Sequence, residues 1–299
     1  MQNTLCTLCY SNDYTVIFPG NSSAINLLPE HVAARKGNIN KVFSYNWVRC
    51  NKCGLVYANP IPDENILSAI YVASDQGCYS DETVNLSYTY EKYLIAHSGA
   101  IENRGIALDV GAGTGFFLRS LKNFGFFTVV GIEPSATTYA SAAPDIKPYL
   151  RNTMFIENDL TPESFDLISC FQTLEHVISP DQLLAGFSRL LAPKGIIYSV
   201  AHNFGSLGVK LLGARHPIVN AGHLTLFDME TIRKMFEKFF DVVDVFPISN
   251  RYSLAYWLTL FPFPDKIRKA FLACSRALRI DCLPLTMSLG NMGIIARKR

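Results

Sequence analysis

The stretch Ala107-Leu108-Asp109-Val110-Gly111-Ala112-Gly113-Thr114-Gly115 limits the folds open to this chain more than any other. The apolar run over 105–110 predicts a buried strand, and Phe116-Phe117-Leu118-Arg119-Ser120-Leu121 predicts the start of a helix. Strand, glycine turn and helix form the front half of a nucleotide-binding βαβ unit. The glycines keep Cβ atoms away from a ligand lying against the turn and allow positive φ. The helix start offers unpaired N–H groups to an anionic group. The spacing is G-x-G-x-G, whereas the dinucleotide fingerprint G-x-G-x-x-G would need its third glycine at Phe116. Asp109 stands two residues before the first glycine, where a carboxylate can anchor the turn or accept from a cationic ligand. The next strand is expected over 127–132 and ends at Glu133, an acid placed to accept both ribose hydroxyls of an adenosine.

This pattern resembles the class I S-adenosylmethionine-dependent methyltransferases. In that family the first strand ends in an acid followed by G-x-G-x-G, and the second ends in the ribose-binding acid. The resemblance continues through Phe165-Asp166-Leu167-Ile168-Ser169-Cys170, Gln172-Thr173-Leu174-Glu175-His176-Val177 and Leu191-Ala192-Pro193-Lys194-Gly195-Ile196, in the expected order over 104–250. It implies an α/β fold with a Rossmann-like, seven-stranded sheet. It also implies S-adenosylmethionine held by Asp109, Gly111, Gly113, Gly115 and Glu133. Residues 155–160 read as the third strand and its carboxyl end. By resemblance Asn158 or Asp159, and of the two Asp159, lies near the adenine. Phe171 and Gln172 then stand at the mouth where methyl donor and acceptor meet.

Eight cysteines raise the question of disulfides, but four of them form two pairs, Cys6-x-x-Cys9 and Cys50-x-x-Cys53. A C-x-x-C turn aims two thiolates at one point, and two such turns complete a tetrahedral zinc shell. A disulfide pair or two redox motifs are the alternatives. Aromatic and β-branched stretches at 14–18, 42–45 and 55–57 read as short strands. The run from Arg49-Cys50 through Cys53-Gly54-Leu55-Val56-Tyr57 to Asn59-Pro60 resembles the amino-terminal module of a methyltransferase subgroup. That subgroup acts on sugars and in polysaccharide and secondary metabolism. By resemblance the zinc is structural.

The organisation expected is a zinc-stapled β module over 1–60, a helical linker or lid over 61–103, and the methyltransferase domain over 104–299. The linker is rich in tyrosine, with Tyr71, Tyr79, Tyr88, Tyr90 and Tyr93. An apolar insertion at 251–288 interrupts the domain before its last strand. Within it, Asp265-Lys266-Ile267-Arg268-Lys269-Ala270-Phe271-Leu272 reads as a basic amphipathic helix. The insertion is either a packed cap over the acceptor pocket or a contact with a membrane face or lipid-linked acceptor. A net charge of +2 with 17% charged residues demands neither nucleic acid nor an anionic surface. The first residues show no basic region followed by an apolar core, so the expected location is cytoplasmic.

The expected reaction is methyl transfer to a small-molecule or glycan acceptor, at oxygen or at carbon. An acceptor hydroxyl must lose a proton, and histidine is the usual base near neutral pH. His176, His202 and His223 are the candidates, each following a strand or preceding a helix at the sheet's carboxyl edge. The other reading is a non-catalytic zinc-ribbon and Rossmann binding protein, against which the intact glycine turn argues. A nicotinamide-dependent oxidoreductase is disfavoured by Phe116.

Overall fold

A computed structural model describes residues 2–20, 45–65, 67, 82–261 and 263–299. The chain begins with three short strands, β1 (Tyr14–Phe18), β2 (Trp47–Cys50) and β3 (Val56–Ala58). Helix α1 (Thr83–Ala96) then leads to the alternating unit: β4 (Ile106–Val110), α2 (Phe116–Asn123), β5 (Thr128–Ile132), α3 (Ala136–Ala140) and β6 (Leu150–Arg151). It continues through β7 (Phe165–Phe171), α4 (Pro180–Leu190), β8 (Leu191–His202) and the short α5 (Leu207–Leu212). After β9 (Thr225–Leu226) and α6 (Met229–Phe236) comes a long hairpin of β10 (Phe240–Ser253) and β11 (Pro284–Lys298). Helices α7 (Leu254–Leu260) and α8 (Asp265–Ala277) form the hairpin's tip.

The main sheet has seven strands in the order β10-β11-β8-β7-β4-β5-β6. The strands from β8 to β6 pair in parallel, while β11 runs antiparallel between β8 and β10. The apolar run at β4 is a central strand with Ala107 and Leu108 fully buried, as its sequence requires. Helices cover both faces. Phe117, Leu118 and Leu121 of α2 join Tyr90 and Leu94 of α1 on one face. Leu184 and Phe187 of α4 join Ile232, Met235 and Phe236 of α6 on the other. Each such side chain contributes roughly 1.5–3 kcal/mol relative to exposure. Asp228 caps α6 as its sequence suggests: its carboxylate accepts from the Glu230 and Thr231 amides, and Thr231 bonds back to the Asp228 amide.

Three expectations change. The third strand is Leu150–Arg151, and residues 157–159 form a 3-10 turn. Phe155 packs edge-on against Phe187, and Glu157 pairs with Arg189, so this segment folds over α4 instead of extending the sheet. Asp159 is exposed on that turn, and Asn152 is the residue that follows the strand. The hairpin also runs further than expected: β10 continues to Ser253 and β11 begins at Pro284, so the tip outside the sheet is 254–283. Third, the small amino-terminal sheet is not closed by residues 1–60 alone. Its order is β1-β2-β3-β9, with β9 supplied by residues 225–226.

Tyr71, Tyr79 and most of the segment before α1 lie outside the described residues, as do residues 42–44 of the strand expected over 42–45. No helix among the described residues is long and apolar enough to cross a membrane.

Candidate functional site

The glycine turn leaves β4 with Gly111, Gly113 and Gly115 all at positive φ, between 58° and 75°. Gly111 and Ala112 donate their amides to Ile132 O at 3.0 Å, which ties the turn to the end of β5. A Cβ on Gly111 would collide with the Thr173 side chain, so the loop after β7 rests directly on the turn. At Gly113 a Cβ would meet nothing within 4 Å. The turn is therefore crowded behind and open in front, the form expected where a ligand lies against backbone.

Glu133 holds this turn, and Asp109 lies buried in β4 before it. Glu133, 5% exposed, accepts the Gly113 amide at 2.9 Å on one oxygen and the Ser135 amide at 2.7 Å on the other. Each carboxylate oxygen has a second lone pair, which leaves capacity for ribose hydroxyls. Asn152 donates to Glu133 O at 2.8 Å, so the residue after β6 braces the same corner. Asp109, 1% exposed, accepts from Ser169 Oγ at 2.6 Å. Burial lifts the Asp109 carboxyl from 3.8 to about 7; the Ser169 hydrogen bond opposes this and the neighbouring Glu133 charge adds to it. Burial likewise raises Glu133.

A carboxyl with a raised folded-state pKa favours folding while protonated. Its contribution is full below the unfolded value near 3.8 and declines as pH rises through about 7. Asp109→Asn should therefore raise the melting temperature of the unliganded protein at pH 8 and change it little at pH 4. The gain has a ceiling of about 4 kcal/mol. Melting curves of the two proteins across that range provide the check, and a variant less stable at pH 8 would refute the account.

Aromatic rings floor the mouth. Phe171, the last residue of β7, lies 4.5 Å from Tyr90 and 4.7 Å from Phe117, ring centre to ring centre. Gln172 follows in a left-handed conformation, φ 50°, with its Oε1 buried and without a hydrogen-bond partner among the described residues.

The structure brings the three candidate histidines together. The His176 and His223 rings are 4.7 Å apart, and those of His202 and His223 are 5.1 Å apart. Each comes from a different segment: His176 from the loop after β7, His202 from the end of β8, and His223 from the loop before β9. Burial lowers His202 to about 4, against a raising hydrogen bond with Asn291, and lowers His223 and His176 as well. All three are neutral imidazoles near pH 7. Glu175 stands among them, 1% exposed, with Oε1 4.0 Å from His202 Nε2. Burial raises its carboxyl to about 7. Of the remaining histidines, His97 bonds Asp244 at 3.1 Å and stacks on Phe246, which is a packing role.

The four paired cysteines also converge. Cys6 Sγ lies 3.4 Å from Cys53 Sγ, Cys9 Sγ lies 3.4 Å from Cys50 Sγ, and all four atoms fall within 4.8 Å of one another. Four thiolates around one zinc would stand about 3.8 Å apart, the edge of a tetrahedron with 2.3 Å bonds. All four are free thiols. The donor set fits a closed zinc site. The module around it touches the histidine cluster: Ala58 donates to Leu224 O at 2.8 Å, and Tyr45 Oη donates to Ala221 O at 3.0 Å.

The family described as Methyltransferase domain matches residues 85–244. The chain belongs to this family. That span carries α1, the glycine turn, Glu133 and all three histidines of the cluster. Among curated relatives, the ubiquinone biosynthesis O-methyltransferase of Rhodopseudomonas palustris is 32% identical over 116 residues, 36% of this chain and 45% of that protein. The protein of the same name from Photobacterium profundum is 29% identical over 111 residues, 36% of this chain and 47% of that protein. The chain thus spans about half the length of the curated relatives it matches. A SAM dependent methyltransferase from Archaeoglobus fulgidus superposes with a TM-score of 0.50 at 15% identity, over 75% of this chain and 100% of that one. The likeness is one of fold: the Rossmann-like methyltransferase sheet.

No role for Asn152, Ser169 or Asn291 is legible in the sequence. Ser169 faces Asp109 from the neighbouring strand, and Asn291 reaches His202 from 89 residues away. Neither pairing has a local signal.

Proposed function

We propose that this protein transfers the methyl group of S-adenosylmethionine to an oxygen of a small-molecule, sugar or lipid-linked acceptor, and that zinc on Cys6, Cys9, Cys50 and Cys53 holds its amino-terminal module. The observation that carries this reading is the glycine turn, open in front of Gly113 and braced by Glu133, in a chain of the methyltransferase-domain family. Bound at that turn, the cofactor supplies a methyl carbon on a sulfonium; the acceptor oxygen bonds to it while the carbon–sulfur pair returns to sulfur. The protein's part is to position and desolvate. Gly111, Gly113 and Gly115 let the cofactor approach the backbone, and Glu133 takes the ribose. Asp159 and Asn152 are the two candidates beside the adenine. Phe171 and Tyr90 exclude water from the mouth. The hydroxyl proton passes to the cluster of His176, His202 and His223.

The hairpin tip supports an amphipathic acceptor. Helix α8 leaves Ile267 45% and Phe271 46% exposed, next to Lys266, Arg268 and Lys269. Surface of that kind suits a headgroup boundary. The test is incubation with methyl-labelled S-adenosylmethionine and two acceptor pools, one of soluble sugars and phenols and one of extracted lipids. Label should appear in one pool, and in the lipid pool it should be lost on Ile267→Asp with Phe271→Asp. Failure to bind S-adenosylmethionine by calorimetry would overturn the reading altogether.

A further inference from the structure

We infer that Glu175, His202 and His223 hold a divalent metal ion at the acceptor mouth, a site separate from the four cysteines. One ligand atom from each of the three residues lies within 4.8 Å of the others, a spread that small side-chain rotations close onto one ion. The hydrogen bonds aim both imidazoles the right way. His223 Nδ1 donates to Ile218 O at 2.6 Å, and His202 Nδ1 donates to Asn291 Oδ1 at 2.9 Å. Each Nε2 is thereby left with a lone pair, and each ring is fixed by the kind of outer partner that orients metal-binding histidines.

Glu175 adds the second, independent observation. Its side chain is buried, Oε1 accepts a long 3.3 Å bond from the His202 amide, and Oε2 has no hydrogen-bond partner among the described residues. A buried carboxyl with one unpartnered oxygen, its Oε1 4.0 Å from His202 Nε2, leaves acceptor capacity beside two imidazole lone pairs. A cation satisfies all three at once. Two imidazoles and one carboxylate suit a divalent transition metal and leave coordination positions open. Thr173, two residues before Glu175, rests on Gly111, so such an ion sits on the loop that abuts the glycine turn. On the methyl-transfer reading, an acceptor hydroxyl coordinated there gives up its proton more readily than a free one, and His176, the histidine of the cluster that is not a ligand, takes it. Ion binding itself does not depend on that reading.

The test is titration of the full chain with cobalt(II), followed by absorption. The cysteine site gives an intense sulfur-to-cobalt charge-transfer band, whereas a glutamate–histidine site gives only weak ligand-field bands. Two phases are expected, together about two ions per chain. His202→Ala and Glu175→Gln should each weaken the second phase at least ~10-fold and leave the charge-transfer band in place. Should either variant fail to fold, broadening of the His202 and His223 ring protons by manganese(II) in the unaltered protein decides the same point. A single, wholly sulfur-ligated phase, or a second phase unchanged in both variants, overturns the proposal. Calorimetry with S-adenosylmethionine on the same samples keeps the two readings apart. Lost cofactor binding with an intact second phase would refute methyl transfer and leave the metal site standing.

Discussion

The Gly113→Val variant is expected to stay folded and to lose S-adenosylmethionine binding. Gly113 has φ 58°, so a side chain there strains the backbone by roughly 1–2 kcal/mol. No heavy atom stands within 4 Å of the new Cβ, so packing adds no collision to that strain. The loss therefore falls on the ligand. Two methyl groups would occupy the open side of the turn, where a bound cofactor must touch the backbone. A reduction of at least ~100-fold in affinity, about 2.7 kcal/mol, is the expected size. Gly99→Val is the control, since its Cβ also meets nothing within 4 Å and it lies away from the turn. A folded Gly113→Val protein with unaltered calorimetric affinity would remove the cofactor from this turn. Gly111→Val makes a useful contrast: its Cβ runs into Thr173, so it should lower the melting temperature as well.

The second large effect is expected from Cys50→Ser. Structural zinc contributes on the order of 10 kcal/mol to the small domains it holds. Losing one thiolate should take bound zinc from about one ion at the cysteines to none and lower the melting temperature by ~10 °C or more. The consequence should reach the acceptor side. Cys6, Cys50 and Leu55 share one apolar core with Phe227 and Met235, and β3 pairs with β9 just beyond His223. Turnover should therefore fall further than cofactor affinity, because the glycine turn lies on other strands. A chelator should mimic the substitution, and a thiol reductant should leave the native protein unchanged. Sensitivity to reductant with indifference to chelator would favour a disulfide and refute zinc.

Much of this was written locally in the chain. Three glycines in a row of alternating positions demand positive φ, and an apolar run before them demands a buried strand. The resulting βα unit can hardly be built otherwise. The two C-x-x-C turns are equally local, since each depends on residues no more than three apart. The third strand was misplaced for a physical reason. Phe155 and Ile156 have the composition of a strand, but Phe155 buries against Phe187 of α4, and tertiary packing overrides the local preference. The insertion expected over 251–288 is shorter in the structure, because Arg251, Tyr252 and Ser253 stay in the sheet and pair with Thr286, Leu285 and Pro284.

By itself, then, the sequence determined the cofactor half of the protein: the turn and the acids at the ends of the first two parallel strands, all set by backbone conformation over a few residues. It also determined that four thiols come in two pairs. Only the tertiary structure decided the acceptor half. Glu175 and His202 meet because the parallel strands β7 and β8 deliver their carboxyl ends to one edge, and His223 joins them from the loop before β9, so residues 21 and more apart in sequence become neighbours. Only the fold could show that the cysteine module closes its sheet with residues 225–226, because a two-residue strand is defined by backbone hydrogen bonds to a distant partner and has no side-chain pattern of its own.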